Sequence, residues 1–220
     1  MRLKDLQRLN TTEAKLNNSE YLVYKPLFKE LRSAITRFSG GRLLDIGCGN
    51  KPYRVWFDSH IDEYLGCDII QSDLNKVDVI CTAQSIPFPN ASFDTVFTTQ
   101  VIEHVGDHEG MLNEAFRLLK SGGKLILSGP FYWPLHEEPH DYFRYTKHGF
   151  KLLLEKAGFK VVEIKPCGGK WAVTGIMILS LIPFRPKVLN FILNPIFSRL
   201  DKMFFDPIIT FNYVVVAEKP

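Results

Sequence analysis

Two stretches of the chain combine residue types and spacing that suit chemistry, and the first is a glycine turn. The apolar run at 43–46 contains Asp45 and leads into Gly47 and Gly49. Glycines at such a position permit a tight turn and let a ligand approach the backbone closely. Asp68 ends the next apolar run, about 20 residues later, the spacing at which a carboxylate accepts hydrogen bonds from ribose hydroxyls. The pattern therefore predicts a nucleoside site.

The end of this turn indicates which kind of nucleoside fits. A dinucleotide fingerprint has a third small residue here, whereas this chain has Pro52. Helix N–H groups bind the pyrophosphate of a dinucleotide, and proline has no N–H to offer. The turn therefore favours a ligand without a pyrophosphate, and a nicotinamide-dependent oxidoreductase is the weaker alternative.

The second stretch is residues 131–145, which combine many aromatic side chains with two histidines and three carboxylates. Within it, His136, His140 and Asp141 are candidate catalytic groups, and so is the more distant His104. A hydroxyl that reacts as a nucleophile usually needs such a base. Two alternatives remain open: the stretch only packs on a sheet edge, and His104 starts a helix and packs beside the ligand.

The same stretch also matches the zinc-protease pattern HExxH between His136 and His140. That pattern works because both histidines lie on one face of a helix. Pro139 would stand inside that helix and break it. We therefore predict no metal ligands, and a structural alternative for Asp141 is an ion pair with Arg144.

The elements that must position these residues alternate between strand-like and helix-like patterns. Because parallel strands need helical crossovers, the order predicts an α/β fold with a doubly wound, mostly parallel seven-stranded sheet. Ligands bind such sheets at the carboxyl ends of the strands. Strands are predicted at 43–46, 64–69, 77–81, 95–98, 124–128, 159–164 and 211–217, and helices at 21–38, 107–120 and 146–157.

Length and composition set further limits. The chain has 220 residues, a net charge of +3 and 45% hydrophobic residues, which suits one globular domain over 1–220 with a helical region at 1–40. The mild charge, without a Lys/Arg run, excludes a nucleic-acid footprint. The four cysteines have no CxxC spacing, and no apolar signal-peptide core or spanning stretch is seen. A cytoplasmic protein is expected.

Residues 171–206 break the alternation and are predicted to form an apolar helical insertion, or cap, before the last strand. The only charged residues from 171 to 200 are basic: Arg185, Lys187 and Arg199. A pair of helices packed on the sheet or in a homodimer interface is the first interpretation. The second is peripheral contact with an anionic membrane surface.

Several motifs together resemble the class I S-adenosylmethionine (SAM)-dependent methyltransferases, specifically the small-molecule, type 11-like family. They are LLDIGCGN at 43–50, Asp68, SIPFPNASFDTVFTTQVIEHV at 85–105 and RLLKSGGKLILSGP at 117–130. The resemblance covers roughly residues 30–165, and a Rossmann-like fold is what it implies. The segment HEEPHDYFRYT at 136–146 also resembles one in methyltransferases of bacterial surface-glycan pathways.

The resemblance also implies roles for individual residues. Gly47 and Gly49 would contact the methionine part of SAM, Asp45 its ammonium group, and Asp68 the ribose. Thr82, where the family often has an acidic residue, would border the adenine. The implied cofactor-binding set is Asp45, Gly47, Gly49, Asp68, Ile69, Thr82, Ala83, Gln84 and Gln100, and the catalytic set is His104, His136, His140 and Asp141.

The activity that the resemblance implies is methyl transfer from SAM, with S-adenosylhomocysteine as product. The acceptor would be a small molecule or a glycan or lipid-linked compound, in surface-polysaccharide biosynthesis. An alternative from another class is a catalytically silent subunit with a SAM fold that binds a partner through 171–206.

Overall fold

The computed structural model describes residues 9, 12–57, 59, 61–182 and 187–220. Its centre is a seven-stranded sheet with the order β3-β2-β1-β4-β5-β7-β6. The first five strands in this order, β3, β2, β1, β4 and β5, pair in parallel with one another. β7 is antiparallel to both of its neighbours, β5 and β6. The strands are β1 (Arg42–Ile46), β2 (Glu63–Asp68), β3 (Val79–Ile80), β4 (Phe93–Thr99), β5 (Leu119–Pro130), β6 (Lys160–Cys167) and β7 (Asn212–Glu218). The predicted doubly wound, mostly parallel α/β sheet is confirmed.

The strand order reverses between β1 and β4, which are neighbours in the sheet. From β1 the chain moves outward through β2 to β3 and then returns to β4 on the other side. The loops that follow β1 and β4 therefore diverge and leave a crevice at the carboxyl ends of these strands, where ligands bind in such sheets.

Helices cover both faces of the sheet because alternate strand residues point to opposite faces. On one face, α1 (Tyr21–Phe38) packs its buried side chains against Leu43, Phe97 and Ile126. On the other face, α2 (His108–Leu118) and α3 (Lys147–Lys156) pack against neighbouring strand residues such as Leu44 and Leu125.

Two further helices, α4 (Lys170–Ser180) and α5 (Lys187–Met203), lie between β6 and β7. They form a third apolar cluster with the start of α1. The side-chain amide of Asn194 donates to the carbonyl oxygens of Leu16 and Asn18, which holds α5 against the turn before α1. No helix in the described part of the chain is both long and apolar enough to cross a membrane.

The predicted element bounds differ from the structure mainly around α2. The helix ends at Leu118, because Leu119 leaves it to pair with Phe93 of β4 as the first residue of β5. The third strand is shorter than predicted, with only two residues. Residues 1–8, 10 and 11 of the N-terminal region, and Arg185 within 171–206, lie outside the described residues.

Candidate active site

A cavity of about 880 Å³ opens at the carboxyl ends of β1, β2 and β4. Residues from several parts of the chain line it, among them the glycine turn, the ends of β2 and β4, the segment after β3 and the loop after β5. All nine residues of the implied cofactor-binding set contribute to its wall, namely Asp45, Gly47, Gly49, Asp68, Ile69, Thr82, Ala83, Gln84 and Gln100.

The glycine turn follows β1 and is held against β2. The backbone N–H groups of Gly47 and Cys48 both donate to the carbonyl oxygen of Cys67. Gly47 has a φ of +73°, and a Cβ atom there would lie 2.3 Å from a methyl carbon of Val101. The N–H of Gly49 donates to a carboxylate oxygen of Asp68 over 3.0 Å. Only glycine fits at Gly47, and the turn brings Asp68 to the cavity.

Asp45 is a buried carboxyl group in the cavity wall, 2% exposed. The hydroxyl of Tyr64 donates to it. Burial raises the pKa of Asp45 from 3.8 to about 7, although Tyr64 and the nearby Lys51 ammonium lower it. Lys51 itself is held by the carboxylate of Asp78, which also accepts from the N–H of Gly66. The ionisation of Asp45 is therefore sensitive to any cation that binds beside it.

Gln100 stands at the end of β4 with a φ of +54°. The left-handed conformation is costly for a residue with a side chain, and such strain concentrates at functional sites. The Gln100 side chain donates to the hydroxyl of Ser128 over 2.9 Å, and its backbone N–H donates to the Ser128 carbonyl. Two bonds to β5 therefore hold the strained residue at the cavity wall.

Next along the chain is a short 3-10 turn that carries Glu103 and His104. Burial raises the pKa of Glu103 to about 8, and the charge of Arg144 opposes this rise. The Nδ1 atom of His104 lies 2.8 Å from the carbonyl oxygen of His140. A carbonyl only accepts, so Nδ1 carries the hydrogen and Nε2 keeps its lone pair. Burial lowers the pKa of His104.

The Nε2 atom of His104 faces acidic and aromatic neighbours. It lies 3.7 Å from a carboxylate oxygen of Glu137 and 3.9 Å from one of Glu103. The imidazole rings of His104 and His136 are 4.8 Å apart between centroids and nearly perpendicular. His104, His136, Glu137 and His140 all line the cavity. Three of the four implied catalytic residues are therefore brought together there.

Asp141, the fourth residue of that set, has a different place. Its side chain is fully buried and receives two hydrogen bonds from the Arg144 guanidinium, over 2.6 and 2.7 Å. It also accepts from the backbone N–H of His136. The pKa of Asp141 is consequently lowered, chiefly by Arg144. Asp141 is not one of the described residues that line the cavity. Its contacts are those of the structural ion pair with Arg144 and not those of a catalytic base.

The same guanidinium shapes the whole loop after β5. Arg144 also donates to the carbonyl oxygens of Trp133, Pro134 and Phe143. No helix forms between His136 and His140, both of which the structure describes, so the HExxH geometry of a zinc protease is absent. The loop presents Trp133, His136 and Tyr142 to the cavity instead.

Part of the cavity wall comes from α1 and its preceding turn, which the sequence analysis did not place at the site. Glu20, Val23, Tyr24 and Leu27 line the cavity. Their spacing is that of one helix face, which is the signal that could have indicated a second role for this helix. Glu103 is also a residue whose burial was not predicted.

Comparison with known proteins agrees with this geometry. Residues 44–127 match a family model described as a methyltransferase domain. A probable SAM-dependent methyltransferase of Mycolicibacterium smegmatis is 38% identical over 141 residues, which are 58% of this chain and 55% of that protein. A 2-methyl-6-phytyl-1,4-hydroquinone methyltransferase of Spinacia oleracea is 32% identical over 117 residues, 48% of this chain and 29% of that protein.

The fold has close counterparts among solved structures. A SAM-dependent methyltransferase from Archaeoglobus fulgidus superposes with a TM-score of 0.60, covering 87% of this chain and 92% of the other at 20% identity. The chain spans less than half the length of the first curated relatives it matches. The matched segment contains the glycine turn, Asp68 and Gln100, which line the cavity. Residues 44–127 of this chain therefore match a methyltransferase domain, within a fold that solved SAM-dependent methyltransferases share.

Proposed function

We propose that this protein transfers the methyl group of SAM to a small-molecule acceptor that enters beside the loop after β5. The observation that carries the proposal is the shared cavity. The glycine turn and Asp68 form one wall of this cavity, and His104, His136 and His140 form another. A donor and an acceptor bound there would be in contact, and such positioning supplies much of the acceleration in a displacement reaction.

The donor side fits SAM residue by residue. The backbone of the turn at Gly47 lines the cavity and would contact the methionine part. The Asp45 carboxyl suits its ammonium group, and Asp68 suits the ribose hydroxyls. Ile69, Thr82, Ala83 and Gln84 would border the adenine. Threonine accepts a hydrogen bond from the adenine amino group more weakly than a carboxylate would, so the backbone at Ala83 would share this role.

On the acceptor side, His104 is oriented to take a proton. When bound, SAM supplies an electrophilic methyl group and leaves as S-adenosylhomocysteine. The Nε2 lone pair of His104 accepts the hydrogen of the acceptor hydroxyl while the oxygen forms its new bond to carbon. His136 and His140 hold the acceptor and His104 in place, the latter through the His140 carbonyl. Asp141 acts through Arg144 as a positioning residue.

The acceptor class follows from the walls of the cavity and from the surface beside it. Trp133 and Tyr142 offer aromatic faces to a sugar or a ring. The name of the spinach relative specifies a hydroquinone with a phytyl chain, which is a ring on an apolar tail. We propose an acceptor of the same general build, a glycan or ring carried on a lipid, and a role in surface-polysaccharide biosynthesis is one setting for it.

A lipid-linked acceptor requires contact with a membrane surface, and α5 has a suitable face. Val188, Phe191, Ile192 and Ile196 form an exposed apolar strip on this helix, which we call the outer face of α5. Lys187, Arg199 and Lys202 are also exposed there. The helix has one acidic residue, Asp201, whose carboxylate accepts from the N–H of Gly169 and is only partly exposed. The outer face would lie in an anionic membrane surface.

Separate experiments test the reaction and the membrane contact. Calorimetry with S-adenosylhomocysteine and transfer of a labelled methyl group to lipid-linked sugars test the reaction. Retained S-adenosylhomocysteine affinity without turnover on any acceptor would identify a silent subunit instead. Flotation with anionic vesicles tests the membrane contact: Ile192→Glu should abolish binding, whereas Leu152→Glu on the exposed side of α3 should not. A protein that stays unbound and dimeric by light scattering would assign the outer face to a homodimer interface.

A further inference from the structure

Three potential metal ligands from two separate loops converge beside the acceptor side of the cavity. Glu103 and His104 come from the turn after β4, and His136 comes from the loop after β5. One ligand atom from each lies within 4.8 Å of the other two. A carboxylate oxygen of Glu137 is 3.7 Å from the Nε2 atom of His104 and offers a fourth ligand.

Glu103 supplies the strongest indication that something binds here. Its side chain is completely buried. Within the described residues, neither of its carboxylate oxygens has a hydrogen-bond donor. Leaving a buried carboxyl without a partner is costly. The charge of Arg144 acts on Glu103, but its N–H groups go to Asp141 and to three backbone carbonyls instead. A bound cation would supply the missing partner.

The two histidines are also prepared for a metal ion. The Nδ1–H of His104 is held by the carbonyl oxygen of His140, which turns the Nε2 lone pair toward Glu103 and Glu137. Metal-binding histidines are characteristically oriented by such a bond from their other nitrogen. The Nδ1 atom of His136 is likewise buried, and a carboxylate oxygen of Asp141 lies 3.2 Å from it.

The spacing of these ligands suits a tetrahedral ion. Ligand atoms at 2.0–2.2 Å from zinc in tetrahedral geometry are about 3.3–3.6 Å from one another. The distances from His104 Nε2 to Glu137 and Glu103 are 3.7 and 3.9 Å, and the ligand atoms of Glu103, His104 and His136 lie within 4.8 Å of one another, so side-chain shifts of about 1 Å would close the site. Two imidazoles with two carboxylates favour Zn²⁺ or a similar transition metal over Mg²⁺, which prefers oxygen ligands.

We propose that Glu103, His104 and His136, with Glu137 as a fourth ligand, bind a divalent transition-metal ion of the Zn²⁺ type. The sequence analysis predicted no metal ligands, because the His136–His140 pattern cannot form the helix of a zinc protease, and the ligands proposed here do not include the His140 side chain. The ion would lie at the wall of the cavity that the proposed function assigns to the acceptor.

The consequence for catalysis rests on that proposed function. A metal ion next to an acceptor hydroxyl lowers the pKa of the hydroxyl and favours its ionised, nucleophilic form. With the ion bound, His104 would be a ligand rather than the base, and the proton would leave to solvent. A carboxylate or catechol-like acceptor would be oriented by the same ion.

The test uses the full chain after treatment with a chelator, followed by calorimetric titration with Zn²⁺ and with Mg²⁺. We expect one Zn²⁺ per chain and no Mg²⁺ binding under the same conditions. Glu103→Gln, His104→Ala and His136→Ala should each weaken Zn²⁺ binding by about tenfold or more. His148→Ala, which removes an exposed histidine on α3, is the matched control and should bind as the unmodified chain does.

Co²⁺ provides a second measurement, independent of turnover. Tetrahedral Co²⁺ gives intense visible absorption, which should appear in the unmodified chain and in His148→Ala and disappear in His136→Ala. Zn²⁺ binding that is equal in all variants, or absent from the unmodified chain, would overturn the proposal. S-adenosylhomocysteine affinity measured in the same samples distinguishes a failure of the metal site from a failure of the proposed methyltransferase function. If it is retained while Zn²⁺ does not bind, the metal site fails and His104 remains the base.

Discussion

The clearest test of the donor site is Gly47→Ala, because the structure separates two costs that this change would impose. The first is backbone strain: at a φ of +73°, a residue with a Cβ loses about 1–2 kcal/mol. The second is steric, since the new Cβ would lie 2.3 Å from a methyl carbon of Val101. Overpacking of this kind typically costs about 1–3 kcal/mol. The free energy of unfolding should therefore fall by about 2–5 kcal/mol.

Gly122→Ala is the matched control. Gly122 has nearly the same φ, +77°, but nothing lies within 4 Å of the position of its Cβ. Its variant should lose only the strain cost, about 1–2 kcal/mol. The effect of the added methyl group on the unfolded chain is common to both variants and cancels in their difference. That difference measures the contact with Val101.

The same pair of variants tests cofactor binding. Moving the turn to relieve the clash would displace its N–H groups and Asp68, so Gly47→Ala should weaken S-adenosylhomocysteine binding by about tenfold or more, or 1.4 kcal/mol. Gly122→Ala should leave the affinity unchanged. Chemical denaturation and isothermal calorimetry give both quantities. Equal losses of stability in the two variants, together with equal affinities, would refute the assignment of this turn.

The remaining predictions concern three carboxyl groups. Asp68→Ala should weaken S-adenosylhomocysteine binding by about 1–3 kcal/mol, because it leaves ribose hydroxyls without an acceptor, while the exposed Asp73→Ala should not; equal calorimetric affinities would place the ribose elsewhere. Folding raises the pKa of Asp45 from 3.8 to about 7, so the stability that this group contributes is present below pH 4 and is lost as the pH rises through 7. An ammonium group on the ligand favours the ionised form, so affinity should increase from about pH 6 to about pH 8 and become flat in Asp45→Asn; a profile shared by both proteins would exclude this contact. Asp141→Asn should lower turnover by about tenfold or more with S-adenosylhomocysteine affinity unchanged, because only the loop loses its ion pair; a parallel loss of cofactor affinity would contradict a role confined to the loop.

The sequence predicted the sheet well, and it placed the residues implied to bind SAM around one cavity for the same physical reason. Apolar runs such as Leu43–Ile46 are buried on both faces, and turn residues mark where they end. In a parallel sheet the carboxyl ends of all strands lie at the same edge. Asp45, Asp68 and Gln100 therefore lie around one cavity although they are distant in sequence.

The acceptor side was harder to predict because it depends on tertiary contacts within one loop. Asp141 and Arg144 were both visible as charges, but only the folded loop shows that they pair through two hydrogen bonds. Glu103 gave no sign of burial, since a carboxylate beside a histidine is usually exposed. Leu119 fits the helical pattern of α2, and only its pairing with Phe93 places it in a strand.

The position of β7 has a consequence for the order in which the chain can assemble. Within the described residues β6 pairs only with β7, which separates it from β5. During synthesis on the ribosome, β1 through β5 can form their parallel sheet as soon as they emerge. β6 must wait, with α4 and α5 already made, until residues 212–218 leave the exit tunnel. The exposed apolar strip on α5 is therefore translated before the sheet is complete. For that interval β6 lacks its strand partner, because the partner that it has among the described residues is not yet made.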